Sequence, residues 1–521
     1  MKIRISQIEL PPGYTQEELI SAAAKKVRCK AALLREITTV RRSIDARGHS
    51  PRITVAVDAE FTGRLPSGLR DVALAKTSPL TVLPVKKRHS GPRPVVVGAG
   101  PAGLMAAYTL AECGCKPLLM ERGEAAAPRA QRVVSFWKDG TLHIESNVLY
   151  GEGGAGLFSD GKLTSRSKDR GRVQRFLEIL VACGASPDIM IDAEPHLGSD
   201  ILHDLVPALR NRIIAMGGEV RFGARLEQLQ IEKGAVRGAI ISGEEIRTDC
   251  VVLATGHSAR DIYTMLAENG VALEPKPFAV GVRIEIPQFR IDTAQWGKRY
   301  PEIGKASFRM TRREEHDARA CYTFCMCPGG LVISCASSEG LITTNGMSLS
   351  KRDKMFGNAA FLVPVFPSDF PAAERTELAG IAFQQKLEST AFAAGGSDYS
   401  LPAQRLVEFL DGSAATSLPS DRSCNRAIPV SLRELLPDFV QNTLINAVPK
   451  MLRSLRGVRL DEALVYASET RSSSPVRIVR GDDGQSPTRG LYPCGEGSGY
   501  AGGIVSSGID GLRTAEAITS A

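Results

Sequence analysis

The spacing of apolar residues changes several times along this chain, and each change predicts an element. From Lys2 to Glu9 polar and apolar residues alternate as in a half-buried strand, and from Gln16 to Val27 the apolar positions recur at helical spacing. Alternation returns at Ile37 to Asp45 and Arg52 to Glu60, so residues 1–62 read as a small α/β unit. Residues 63–91, rich in Pro, Gly and Ser, read as a linker with one short strand at Leu80 to Val85. Beyond residue 92 the pattern differs. Val95 to Val97 and Lys116 to Met120 are continuous apolar runs of the kind buried on both faces of a parallel sheet, and a helical pattern from Pro101 to Cys113 lies between them. A basic, helix-like stretch covers Arg129 to Trp137, and a long helix covers Asp200 to Met216. Strand-like segments follow at Glu219 to Phe222, Arg225 to Glu232, Ala235 to Ile241 and Glu245 to Thr248, before another apolar strand from Cys250. Residues 270–465 mix short strands and helices, and a final helix is predicted from Val505 to Ile518.

Three apolar strands, starting at Val95, Cys250 and Leu491, end in glycine-rich turns, and the turns carry the chemistry. Gly98, Gly100 and Gly103 form G-x-G-x-x-G between strand and helix, and Glu121-Arg122 closes the following strand. Gly98 allows the tight turn, and Gly100 lets a pyrophosphate approach the N–H groups at a helix start that includes Pro101 and Ala102. Gly103 permits close helix packing, and Glu121 accepts hydrogen bonds from a ribose. The second turn is Ala254-Thr255-Gly256, and the third spans Gly495, Glu496, Gly502, Gly503 and Ile504. A single such turn suits NAD. Three of them collected at the carboxyl ends of strands suit a longer ligand, FAD, with Glu496 on the ribitol chain and the last helix aimed at the flavin. The loop at 151–163 adds Gly153, Gly154 and Gly161 for close backbone approach, Ser159 and Lys162 as donors, and Leu163. The expected architecture is α/β. A doubly wound, Rossmann-like FAD-binding domain is assembled from 92–269 and 466–521, with a β-rich cap or substrate domain at 270–465 and the N-terminal unit at 1–62.

Composition narrows the function classes. A formal net charge of +8 over 521 residues, with the basic residues scattered, argues against a nucleic-acid partner. No apolar run reaches the roughly 18 residues of a membrane helix, and the N-terminal segment lacks a signal-peptide core. The 11 cysteines are therefore expected to be reduced thiols in a cytoplasmic protein. Cys321, Cys325, Cys327 and Cys335 leave three readings open: buried apolar residues, a flavin-proximal thiol, or a metal site. C-x-x-x-C-x-C without a neighbouring His is not a standard metal spacing, so no metal is assigned. Cys325 and Cys327, two apart on a strand, are expected to share one face. Cys325, His257 and Lys162 are the weak catalytic candidates, and Arg283 with Glu285 reads either as an orienting pair or as a strand-surface ion pair. No second G-x-G-x-x-G followed by an acid occurs between 200 and 490, so NAD(P)H would dock only transiently, as an electron donor.

The order V-V-G-A-G-P-A-G, E-R-G, A-T-G and G-E-G-S-G-Y-A-G-G-I resembles flavoproteins of the glutathione-reductase-like FAD superfamily. The segments at 151–163 (G-E-G-G-A-G-L-F-S-D-G-K-L), 254–261, 276–285 and 324–330, with R-R-S-I-D-A-R at 41–47 and T-R-S-S-S-P-V-R-I at 470–478, are similar to the bacterial uncharacterised NAD(P)/FAD-dependent dehydrogenase family. The resemblance spans nearly the whole chain and implies bound FAD and a redox role. One departure is Leu157, where Thr is expected, so no hydroxyl contact is assigned there. The function expected is FAD-dependent oxidoreduction with hydride transfer through flavin N5, acting on a small-molecule substrate or electron carrier. Two alternatives on the same fold are a flavin monooxygenase and an isoprenoid double-bond reductase. A third, from another class, is an FAD-containing binding or regulatory protein, supported by the basic residues Arg41, Arg42 and Arg47. Substrate and oligomeric state stay open.

Overall fold

The computed structural model describes all residues except 47–49, 76–90, 166, 298–299, 314–318 and 521. The N-terminal unit is a four-stranded antiparallel sheet, with Lys2–Leu10 between Arg52–Phe61 and Val72–Leu74, and Leu34–Asp45 on the far edge. Helix Gln16–Val27 starts at Thr15, which caps the Glu18 amide while the Glu18 carboxylate caps Thr15 in return. Its Leu19, Ala23 and Val27 bury against Ile3, Ile5, Val55 and Val57. Strand Val72–Leu74 carries this sheet into the segment expected to be linker, because the backbone edge of Lys2–Leu10 is free to pair with it. The strand expected at Leu80 to Val85 lies outside the described residues. The unit is clasped to the body at Arg42. Its N–H donates to the Ile191 carbonyl, its carbonyl accepts from Ala193, and its guanidinium forks the Asp192 carboxylate at 2.7 and 3.1 Å.

The expected doubly wound domain is present as a five-stranded parallel sheet. Its order is Leu491–Pro493, Val251–Leu253, Val95–Val97, Leu118–Glu121 and Glu219–Phe222. Helix Pro101–Glu112 and the last helix, Ile504–Ser520, pack on one another so closely that a Cβ on Gly511 would sit 2.1 Å from the Ala102 carbonyl oxygen. Leu226–Glu232, Ala235–Ile241 and Glu244–Arg247 form a separate antiparallel meander. Two helices the apolar pattern did not predict, Arg170–Ala182 and Arg260–Glu268, complete this region.

The cap is built on an eight-stranded sheet. Phe278–Pro287 lies at its centre between Phe356–Val365 and Leu464–Glu469, and Ala320–Cys335 lies beyond Phe356–Val365. Helix Asp438–Arg453 closes the core over Phe361, Val363 and Ile284. Strand Leu464–Glu469 crosses the boundary expected at 465, since pairing with Phe278–Pro287 continues to Glu469.

Candidate functional site

Val97, Leu253 and Pro493 end three adjacent parallel strands, so the turns that follow them meet at one sheet edge. Below that edge lies a cavity of about 2320 Å³. Of the residues singled out in the sequence, it is lined by Gly98, Gly100, Pro101, Ala102, Glu121, Arg122, Gly154, Ser159, Gly161, Lys162, Thr255, Gly256, Glu496, Gly502, Gly503 and Ile504. His257 and Cys325 also line it. Gly103, Gly153, Leu163 and Gly495 do not, because each is turned into packing. A Cβ on Gly103 would lie 1.8 Å from the Gly98 carbonyl oxygen, one on Gly153 would lie 3.2 Å from the Leu157 Cβ, and one on Gly495 would lie 2.6 Å from the Ala102 Cβ. Leu163 is 3% exposed in the core behind the loop.

The backbone of this wall suits a dinucleotide. Gly98 holds φ +102°, a conformation that side chains resist. Gly100 and Gly154 face each other, and a Cβ on Gly100 would meet only the Gly154 Cα at 3.9 Å. At Gly256, Gly502 and Gly503 a Cβ would meet nothing within 4 Å, so bare peptide borders the open space. Helix Ile504–Ser520 begins there and turns its N-terminus to the cavity. Glu121 does more than its spacing announces. Its Oε2 accepts from the Ala99 amide at 2.7 Å, and its Oε1 accepts from Gly123 and Gly151, each at 3.0 Å, joining the first turn to the 151–163 loop.

Side chains behind the wall set its charge. Arg129, the first residue of the basic helix-like stretch, is fully buried and donates to the carbonyls of Asn147, Val148, Gly151 and Glu152. It thereby fixes the approach to the loop. Burial pulls its pKa down to about 9. Glu388 is wholly buried between Arg260 and Arg471, each of which forks it. Burial alone would raise its pKa, but the two guanidinium groups hold it down at about 2. His257 sits beside this group, and burial followed by repulsion from Arg471 and Arg260 lowers its pKa to about 3. This environment favours the neutral imidazole. Its Nε2 lies 3.8 Å from Glu496, whose carboxyl burial pushes up to about 7.

Several expectations are corrected in detail. Ser159 does not hold its hydroxyl free for a ligand: Oγ donates to the Gly156 carbonyl at 2.7 Å and accepts from Gly161. Lys162 donates to the Met326 carbonyl on cap strand Ala320–Cys335. Arg122 is committed to Glu145 and Asp261. Cys325 and Cys327 do not share a face. The pairing register shifts between Phe324 and Cys327, and Cys325 takes φ +43°, so Cys325 is exposed while Cys327 is buried. None of the cysteines is bonded to another, and burial pushes the thiols of Cys321 and Cys327 up to about 12. Among the described residues no group of three or more His, Cys, Asp and Glu side chains is placed to hold a metal. Arg283 and Glu285 are both buried and do not pair. Arg283 forks Glu469, while Glu285 accepts from Ser423 and Tyr466. Arg42 is bound to Asp192, and Arg47 lies outside the described residues.

Residues 277–472 match the family described as FAD-dependent protein, C-terminal domain-like, and residues 96–150 match an NAD(P)-binding Rossmann-like domain. Residues 2–60 match a domain of unknown function. A protein of Clostridium beijerinckii, named only as uncharacterized, is 38% identical over 99% of this chain and 98% of its own length. The chain belongs to this FAD-dependent family. It is an FAD-dependent oxidoreductase, in which the parallel-sheet domain supplies the Rossmann-like half. A more distant similarity, 27% over 36% of this chain and 62% of the relative, is to thiamine thiazole synthase of Aeropyrum pernix. Among solved structures, a variant of the E. coli quinol fumarate reductase subunit FrdA matches 82% of this chain and 68% of its own, at 13% identity and a TM-score of 0.38. No helix among the described residues is long and apolar enough to cross a membrane.

Proposed function

We propose that FAD lies along the three turns and that the protein transfers a hydride between flavin N5 and a small-molecule substrate or electron carrier. One observation carries this reading: three glycine turns and the 151–163 loop, distant in sequence, border a single cavity with bare peptide at Gly256, Gly502 and Gly503. The order of the turns along the chain supports a place within the glutathione-reductase-like FAD superfamily. Gly98 and Gly100 border the pyrophosphate, Glu121 receives the adenosine ribose, and Glu496 faces the ribitol. Bound FAD supplies the redox chemistry. The chain's own residues position it and manage charge. The N-terminus of helix Ile504–Ser520 favours negative charge at the cavity wall. Glu496, with its pKa near 7, holds or releases a proton beside a His257 that stays neutral. A nicotinamide dinucleotide docks transiently as electron donor, since no second G-x-G-x-x-G followed by an acid occurs between residues 200 and 490. Eleven cysteines without a disulfide support work in the reducing cytoplasm.

The purified protein is expected to be yellow, with an absorption band near ~450 nm that NADH or NADPH bleaches anaerobically. Nicotinamide deuterated at the transferred position is expected to slow the bleaching. Gly100→Val places two methyl groups where only the Gly154 Cα now stands, so the variant is expected to fold and to bind FAD at least ~100-fold more weakly. A colourless wild type, or a Gly100→Val protein that stays fully yellow, defeats the assignment. Reduction without any isotope effect counts against hydride transfer.

A further inference from the structure

The cavity is larger than the usual site for one organic ligand. Sites for single organic ligands enclose roughly 300–1,000 Å³, whereas this one has a volume of about 2320 Å³. The surplus wall does not come from the glycine turns. It comes from the N-terminal unit, through Tyr14 and Ile44, and from the cap, through Trp296, Arg309 and Phe324. Two of these are large apolar side chains left bare: Ile44 is 45% exposed and Phe324 is 38% exposed.

Arg309 and Phe324 are neighbours by register. Thr311 pairs with Tyr322, the Thr323 amide donates to the Met310 carbonyl, and the Met310 amide donates to the Thr323 hydroxyl, which sets Arg309 opposite Phe324. Most other cations of the wall are already paired: Arg42 with Asp192, Arg352 with Asp160, and Lys305 with Asp292 at 3.4 Å. Arg309 has no acidic partner among the described residues, and neither has Lys351. An unpaired guanidinium beside an exposed aromatic ring matches a carboxylate, which it forks, carried on a flat ring that stacks or packs edge-on. The same strand leads to the cofactor. Cys325 follows Phe324, and Lys162 of the 151–163 loop donates to the next carbonyl, that of Met326.

The geometry points to this outer chamber as the substrate site, built for an aromatic carboxylate and walled on one side by the N-terminal unit. The assignment rests on FAD occupying the inner part of the same cavity. It gives the matched domain of unknown function at 2–60 a purpose, since that domain completes the substrate pocket.

The test is equilibrium dialysis of the purified full-length protein against 2-naphthoate, with naphthalene-2-methanol as the uncharged counterpart and flavin absorbance read on the same samples. Wild type is expected to take up one naphthoate per chain. Arg309→Glu is expected to weaken naphthoate by at least about tenfold and to leave the alcohol unaffected, as loss of a charge-assisted contact requires. Phe324→Ser and Ile44→Asp are expected to weaken both compounds. All three positions are surface-exposed, and all three variants are expected to keep their flavin. The chamber is overturned if wild type binds naphthoate no better than about 1 mM, or if no variant changes the affinity. Full flavin with unaltered naphthoate binding defeats the chamber alone, whereas a wild type that binds naphthoate and carries no flavin defeats the cofactor reading.

Discussion

The two large sheets of this flavoprotein use β-structure in opposite ways. Strands of the parallel sheet are three or four residues long, while the central cap strands run to ten and sixteen. A short parallel strand does little beyond delivering its next turn to the sheet edge, so ligand contact falls to the backbone and glycine dominates. Long antiparallel strands form a continuous wall that presents side chains. Inside that wall Arg283 and Glu469 complete a fully buried ion pair across neighbouring strands, with Asn358 accepting a further hydrogen bond from Arg283. Damage to the first sheet is therefore expected to appear as lost cofactor, and damage to the second as lost stability.

The most severe test of this division is Phe361→Ala, which empties a fully buried position in the cap core. It should cost about 3–5 kcal/mol in urea unfolding while the folded protein keeps wild-type flavin affinity. A parallel loss of flavin would erase the distinction between the sheets. Next comes a pH effect confined to the cap. Burial raises Glu285 to about 7, against about 4.3 for an unfolded glutamate. Its contribution is complete below the unfolded value and is lost as pH rises through 7, by up to ~4 kcal/mol. Unfolding midpoints compared at about pH 5 and pH 8 should show this slope in wild type and a flatter profile in Glu285→Gln. In the parallel sheet, Gly103→Ala forces its methyl group onto the Gly98 carbonyl. The expected cost is about 1–3 kcal/mol, accompanied by weaker flavin retention because the displaced turn borders the cavity. The smallest effect belongs to the clasp. Arg42→Ala removes a partly exposed ion pair worth less than about 1 kcal/mol, and its readout is faster proteolytic release of the N-terminal unit at unchanged flavin content.

Legibility in the sequence follows the same division. In the parallel sheet, turn and strand are encoded within a dozen residues, so the residues alone lead one to expect that the turns at Gly98 to Ala102, Gly256 and Gly502 to Ile504 meet at one sheet edge, where they border one cavity. Even there, Gly103, Gly153, Leu163 and Gly495 face inward, because spacing does not say which side of a loop meets the cavity. Helix Arg170–Ala182 escapes the apolar pattern although Asp169 caps it, since its first turn is basic and contains Gly171. In the cap, the deciding partners are far apart. Arg283 meets Glu469 across 186 residues, and neither local alternation nor charge reveals the pair. The bulge that turns Cys325 outward interrupts the strand period that makes it look equivalent to Cys327. Arg471 lies within the T-R-S-S-S-P-V-R-I segment, yet its contact with Glu388 depends on a helix from another part of the cap.

The packing of the last helix against Pro101–Glu112 has a consequence for how the protein is made. A chain growing from its N-terminus releases the first glycine turn roughly four hundred residues before the helix that completes the cavity. At about 5–20 residues per second, that interval is some 20–80 s. Throughout it the cofactor site is half-walled, and apolar faces meant for Ile504–Ser520 stand open to chaperones or to wrong neighbours. Flavin colour in this protein thus reports that synthesis has passed helix Ile504–Ser520.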